Sequence, residues 1–349
     1  MTKVLSIGLG GVGVIAAYTL VRNDPTIELT AVIRSDYDIV TTKGYSISSV
    51  DYGGRSLDAG DNDESKMIHG FKPTHVEKTL ESASQHGPFD YIVICTKCVP
   101  YPKDNVWDQV SQNIDALTHP GRKTHVVLIQ NGIDIDHYWN SLEDRVRLIS
   151  GVSYILSVNY KGKIVQYGPD EVLFGYFDKD DDENGLQKWI SMYLNDINQV
   201  GKDTNPRFTR WKKLLYNGSF NTICALTQAN VGQLYRTNDE NSVVEHTVIP
   251  IMKQIQQVAN YDLEKLGMEE RISDEQIRNM DKYTKESDAP TNYQPLMLVD
   301  VINNRAMELE VILGNVLSIH RSHGSPFQLK ELEFLYYLLS LVQYRITRE

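Results

Sequence analysis

Two hydrophobic periods divide this chain. In the first two hundred residues, short apolar runs rich in Val and Ile recur between polar or glycine-bearing turns: KVLSIGLGG, ELTAVIR, FDYIVICTK and THVVLIQNG. Runs of this length and composition read as strands buried on both faces, as in a parallel sheet, and VIAAYTLV after the first run reads as a covering helix. Residues 151–176 read as antiparallel strands joined by a Lys-Gly turn, and GLQKWISMYLNDI reads as a helix closing this half near residue 200. The acidic run DKDDDEN (178–184) between them reads as a solvated loop.

From about residue 205 the apolar positions take up helical spacing. RWKKLLYNGSFNTICALTQ (210–228) predicts a helix packed through Leu214, Leu215, Phe220, Ile223 and Leu226. Lys213, Asn217 and Asn221 recur on it every four residues, and each such step advances only about 40° beyond a full turn, so the three share a face. LMLVDVINNRAMELEVILGNVL (296–317) predicts a second helix with Asp300, Asn304 and Glu308 at the same spacing. Two polar seams predict a wet cleft rather than a dry bundle. The last helix, PFQLKELEFLYYLLSLVQYRI, is apolar around much of its circumference; it could complete the helical core or cover the partner in a homodimer.

The expected fold class is therefore α/β: an N-terminal Rossmann-type dinucleotide-binding domain, residues 1–203, followed by an all-α C-terminal domain, residues 204–349. The length of 349 residues suits two domains at about 150 each. A net charge of −11 with no Lys/Arg block argues against nucleic acid as a partner. FLYYLLSLV, the densest apolar run, is shorter than the ~18–20 residues of a bilayer span, so no membrane partner is expected. The N-terminus runs straight into a strand without a signal-peptide layout, and three cysteines make no disulfide framework, which together point to a reducing, cytoplasmic setting. Cys95 and Cys98 form a C-x-x-C with no second ligand pair, and His320 and His323 lack a carboxylate or thiolate set. The first read as ordinary residues at a strand end, the second as a solvated helix end, and no metal site is expected.

Chemistry concentrates first at the N-terminus. Gly8, Gly10 and Gly13 match G-x-G-x-x-G in the strand–turn–helix setting that gives the motif its meaning. The loop Gly8-Leu9-Gly10-Gly11-Val12-Gly13 lets backbone N–H groups and a helix N-terminus approach a pyrophosphate. NAD sites usually end the second strand with Asp or Glu; here it ends in Arg34-Ser35, a cation and a hydroxyl suited to the 2′-phosphate of NADP, although Asp36 follows closely. Ligands of open α/β sheets bind beyond the carboxyl ends of strands, which brings in Lys97 and Gln130-Asn131-Gly132.

With these residues assembled, the chain resembles the ketopantoate reductases (2-dehydropantoate 2-reductases). The resemblance runs along nearly its whole length, through GLGGVG, Arg34, TTKGYSISS, CTK with Lys97, IQNG with Asn131, WKKLLYNGSFNTICALT and DVINNRAMELEVILGNV. The family's pattern W-x-K-x-x-x-N-x-x-x-N-x-x-x-x-L-T is met by Trp211, Lys213, Asn217, Asn221, Leu226 and Thr227, and its Asp-to-Glu spacing by Asp300 and Glu308. The resemblance implies hydride transfer from NADPH to the ketone of a 2-oxo acid bound between the two domains. Lys213 would be the general acid, Asn217 and Asn221 would orient substrate oxygens, and Glu308 would take a substrate hydroxyl and help place Lys213. Asn131 would bind substrate and the cofactor's ribose or nicotinamide side. One position departs: Leu296 stands where the family commonly carries a carboxylate-holding serine, with Asn292 or Tyr293 as substitutes. Ketopantoate, on the route to pantothenate, is the first substrate implied. The alternatives are a related NADP-dependent reductase of another 2-oxo acid or secondary alcohol, and a non-catalytic NADPH-binding regulator.

Overall fold

The computed structural model describes residues 1–57, 62–100, 105–178, 184–237, 239–291 and 293–347. Asn292 and most of the acidic run 178–184 lie outside them. The chain separates into two compact units, the first running to Pro206 and the second from Arg207 onward; Cys98 and the stretch Asn131–Ile135 group with the second.

Unit one is built on β1 (Lys3–Ile7), β2 (Glu28–Val32), β3 (Tyr45–Ser49), β4 (Ile68–Phe71), β5 (His75–Glu77), β6 (Tyr91–Ile94), β7 (Thr124–Leu128), β8 (Val146–Ser153), β9 (Ser157–Tyr160), β10 (Lys163–Gln166), β11 (Glu171–Tyr176) and β12 (Gln199–Lys202). Eight of these form one sheet in the order β12-β11-β8-β7-β6-β1-β2-β5. From β5 across to β8 every pairing is parallel, the doubly wound order in which the chain reverses direction across the sheet between β1 and β6. Central strands covered on both faces must be apolar throughout, and Val4, Leu5, Ile92, Val126 and Val127 are fully buried. Helix α1 (Gly11–Asn23) covers one face through Val14, Ile15, Ala17 and Leu20. Beyond β8 the sheet continues antiparallel to β11, and β12, absent from the periodicity reading, adds parallel to β11. QVGK is too short and too exposed to announce itself as a strand.

The remaining four strands make a second sheet, β4-β3-β10-β9. Its β9–β10 hairpin turns at Lys161-Gly162, with φ of 52° and 83°; positive φ at both residues gives a turn whose twist matches its strands.

Unit two has no strand among its described residues. Its principal helices are α2 (Pro206–Asn217), α3 (Phe220–Thr227), α4 (Ile249–Lys265), α5 (Leu296–Ile302), α6 (Asn315–Ser322) and α7 (Lys330–Ile346). The two long helices expected from periodicity are both broken. The first stops at Asn217 and restarts at Phe220, with Ser219 at φ −121°, ψ −79° and its hydroxyl bonded back to the Leu215 carbonyl. The second ends at Ile302. Asn304, at φ 51°, takes the left-handed position, and the Arg305 N–H returns to the Asp300 carbonyl (2.9 Å) while the Asn304 N–H meets that of Val301 (3.2 Å). This is a Schellman closure with Asn in glycine's usual place. Asn304 therefore serves a turn and leaves the expected stripe, and Glu308 stands after the break.

A buried ionic knot ties unit two together. Asp262, fully buried on α4, receives a bidentate pair from Arg207 (2.6 and 2.8 Å), the Trp211 indole N–H (2.7 Å) and His323 Nε2 (2.9 Å). These partners hold its carboxyl below the usual carboxylate range despite burial, which opposes them. His323 is thus an internal partner rather than part of a solvated helix end.

Candidate active site

The glycine loop begins where β1 stops. Gly8 has φ 92°, and a Cβ there would lie 2.5 Å from the Thr96 backbone nitrogen just beyond β6, so this strand end tolerates no side chain. Leu9 is buried, its carbonyl accepting from Tyr45 Oη and Asn159 Nδ2 (both 3.3 Å). Gly10 is exposed at the N-cap of α1, with nothing within 4 Å of where a side chain would stand and no side chain capping the helix. Gly11 and Val12 form the first turn, Gly11 against the Ser157 carbonyl, while Gly13 packs on the carbonyl of Gly8. Uncapped first-turn amides, a positive helix end and open space at Gly10 fit a pyrophosphate. At the end of β2, Arg34 and Ser35 are exposed, whereas Asp36 is buried and accepts from Asn159 Nδ2 at 2.7 Å. The Asp36 carboxylate is thus engaged inside the protein rather than beside Arg34 and Ser35. Lys97 is exposed after β6.

The second group lies within unit two. Lys213 Nζ donates to Asn131 Oδ1 at 2.8 Å, Asn131 Nδ2 donates to Glu308 Oε2 at 3.1 Å, and Glu308 Oε1 accepts the Cys98 backbone N–H at 3.0 Å. One amide therefore links an ammonium to a carboxylate, oxygen toward the donor and nitrogen toward the acceptor. Burial lowers the Lys213 pKa to about 8, with the Arg210 cation pushing the same way and Glu308 opposing.

Backbone clamps hold Asn131 in place. Gly132 has φ 99°, and a Cβ on it would meet Val311 at 2.6 Å. Arg210 Nη1 donates to the Gly132 carbonyl (3.0 Å), the Ile133 N–H to the Val311 carbonyl (3.0 Å), and Asn315 Nδ2 to the Ile133 carbonyl (2.7 Å). Arg207 also reaches Asp134 (2.6 Å), connecting this loop to the Asp262 knot. Arg210, Arg207, Asn315 and Asp262 carry no motif and escaped the sequence reading; the one available signal was Arg210, one helical turn before Lys213.

The other expected residues divide. Asn217 is half-buried one turn after Lys213, and its amide has no hydrogen bond among the described residues. Asn221 lies past the helix break, and its Oδ1 accepts the Met297 N–H (3.0 Å), capping the start of α5. Asp300 is buried, with Arg305 at 3.7 Å. Leu296 opens α5, partly exposed. Cys95 and Cys98 are free thiols; burial pushes Cys95 up to about 12 and raises Cys98 further beside Glu308, which makes both poor nucleophiles. Among the described residues no group of three His, Cys, Asp or Glu gathers as a metal site, and no helix is long and apolar enough to cross a membrane.

Comparison with known proteins adds the decisive observation. The family model described as ketopantoate reductase PanE/ApbA matches residues 4–179, and that of the ketopantoate reductase PanE/ApbA C terminus matches residues 205–343. The chain belongs to the ketopantoate reductase family. It is 33% identical to an uncharacterized protein of Saccharomyces cerevisiae over 99% of this chain and 95% of the relative. It is 24% identical to 2-dehydropantoate 2-reductase of Streptococcus pyogenes serotype M3 over 74% of this chain and 75% of that protein. The crystal structure of 2-dehydropantoate 2-reductase from Methylococcus capsulatus shares the fold, with a TM-score of 0.77 at 23% identity, covering 99% of this chain and 98% of that one. This family member is an oxidoreductase with a parallel-sheet N-terminal half and a helical C-terminal half.

Proposed function

We propose that this family member reduces the ketone of a 2-oxo acid with NADPH, ketopantoate being the first substrate to test. The Lys213–Asn131–Glu308 chain of hydrogen bonds carries the reading. Gly8, Leu9, Gly10, Gly11, Val12 and Gly13 would hold the pyrophosphate, Arg34 and Ser35 the 2′-phosphate, and Lys97 and Asn131 further parts of the cofactor. The inward-turned Asp36 supports NADPH over NADH, because it leaves the cation and hydroxyl of this strand end facing solvent.

NADPH, when bound, would supply hydride chemistry at the carbonyl carbon. Lys213 polarises the carbonyl oxygen as an ammonium and passes it a proton as the alcohol forms. A pKa near 8 suits this role, since the group is mostly charged at neutral pH yet gives up its proton readily. Asn131 aims the ammonium, and Glu308 acts on Lys213 through Asn131 as a positioning residue that also favours the charged lysine. Asn217 offers its amide to a substrate oxygen. Asn221 has its oxygen committed to α5, so it contributes to the substrate through its Nδ2.

Leu296 favours a second reading within the same chemistry. A leucine at the start of α5 brings no hydroxyl to a carboxylate and does bring apolar surface, which suits a 2-oxo acid or secondary alcohol bulkier than ketopantoate. Following NADPH and NADH oxidation with ketopantoate and a panel of branched and aromatic 2-oxo acids tests both readings. Turnover of ketopantoate supports the first, and turnover confined to bulkier substrates supports the second. Absence of turnover across the panel would overturn both.

A further inference from the structure

We propose that the turn Glu310–Gly314 sets the register that brings Glu308 onto Asn131, with Glu310 and Gly314 as positioning residues of the Lys213 group. Their role rests on the reading of Lys213 as the acid. Ahead of α6 the helix widens by one residue: the Asn315 N–H bonds to the Glu310 carbonyl, five positions back instead of four. In a regular α-helix that N–H would serve the Val311 carbonyl. Val311 is thereby released to accept the Ile133 N–H (3.0 Å), while Asn315 Nδ2 takes the Ile133 carbonyl (2.7 Å). One turn earlier, Glu308 accepts from Asn131 and from the Cys98 N–H. A single stretch, 308–315, thus grips Asn131 and Ile133 together, and the wide turn lies between its two grips. Single π turns inside α-helices are frequent at functional sites.

Glu310 and Gly314 hold the turn. Gly314 is buried at φ −58°, ψ −46°, an ordinary helical conformation in which glycine weakens a helix relative to alanine, so its use here needs a packing reason. The reason is the Glu310 carboxyl group: a Cβ on Gly314 would stand 2.5 Å from its Cδ and Oε1 and 2.6 Å from its Oε2. Tyr336 Oη, on α7, donates to Glu310 Oε2 at 3.0 Å and seats the carboxylate there. The charges that act on Lys213 are Arg210, on its own helix, and Glu308, which favours the ammonium; the Cys98 thiol beside Glu308 stays neutral. Moving Glu308 away therefore lets Lys213 lose its proton at lower pH.

Trace acetylation of Lys213 by acetic anhydride across pH, read by peptide mass spectrometry on the full-length chain without substrate, tests the inference, because only the unprotonated amine reacts. Gly314→Ala displaces the Glu310 carboxylate. It should move the Lys213 titration to lower pH, the direction of Glu308→Gln, and lower kcat roughly 10–100-fold with NADPH binding unchanged, since about 1 Å of misplacement can cost about 10²-fold. Tyr336→Phe should act in the same direction by about 3-fold, the scale of one hydrogen bond. In a Glu310→Ala background Gly314→Ala should add nothing, because the atoms it displaces are gone. Glu310→Gln, which keeps an oxygen for Tyr336, should recover most of what Glu310→Ala loses. An unmoved Lys213 titration in Gly314→Ala, or in Tyr336→Phe should the first variant not fold, overturns the inference. So does a Gly314→Ala effect that persists at full size without Glu310. Absence of turnover in the wild type would refute the proposed function, whereas the substrate-free titration decides the role of this turn by itself.

Discussion

The two candidate regions are built on opposite plans. The glycine loop of unit one is backbone: six consecutive residues running from the end of a strand into the first turn of a helix, presenting amides, a helix end and glycines without side chains. The Lys213 group of unit two is chiefly side chain: the side chains of residues 131, 213 and 308, joined by the backbone N–H of Cys98, are brought together from distant positions and partly withdrawn from water. A loop that acts through its backbone depends on local sterics, so its position follows from a short stretch of sequence. A convergent group depends on every element that aims it, and Asn131 alone is held by three clamps on its following residues.

The proposed division of labour can be broken at its sharpest point by Lys213→Ala. We expect kcat to fall about 10²–10⁴-fold, the typical contribution of a positioned acid, while fluorescence titration shows NADPH still bound. Full activity in this variant would remove the mechanism, and loss of cofactor binding would merge the two regions into one.

Stability should separate them as well. Arg207→Ala leaves Asp262 buried with its main ionic partner gone and frees Asp134. An uncompensated buried charge costs about 3–5 kcal/mol, so the unfolding midpoint in urea should drop accordingly. The loop that carries Asn131 loses an anchor at the same time, and residual activity should fall below what Arg34→Ala leaves.

Arg34→Ala should act on the cofactor alone. Loss of a hydrogen bond to a charged phosphate is worth about 1.5–3 kcal/mol, so KM for NADPH should rise roughly 10–100-fold while KM for NADH stays level. An equal effect on both cofactors would refute the 2′-phosphate assignment.

The smallest effect is a pH shift. Lys213 must be protonated to act as acid, so activity should fall as pH rises through about 8. Glu308 favours the ammonium; Glu308→Gln should therefore move this alkaline limb to lower pH by up to about one unit. An unmoved limb would assign the titration to another group.

Much of the architecture was legible because period and motif are local properties. The strands KVLSI and YIVI are apolar along their whole length because parallel neighbours cover them, and no other part of the fold needs to be known to read that. The helix breaks were less accessible. Gly218 and Ser219 interrupt a run whose apolar spacing continues through them, and Asn303-Asn304 close a helix that an unbroken pattern would carry to residue 317. The spacing of Lys213, Asn217 and Asn221 was readable, but an ideal single helix overstated how alike the three are, since Asn221 caps α5 instead of sharing Lys213's surroundings.

By itself the amino-acid order determined the parallel-sheet and helical halves, the glycine loop and the identities of Lys213, Asn131 and Glu308, because period, motif and residue chemistry are carried by neighbouring positions. Only tertiary structure decided which groups meet. Asn131 bridges Lys213 to Glu308, Asp36 turns inward to Asn159, and Arg207 holds both Asp134 and Asp262. These partners lie 55 to 177 positions apart, and a hydrogen bond between them exists only after packing has removed water and fixed both ends.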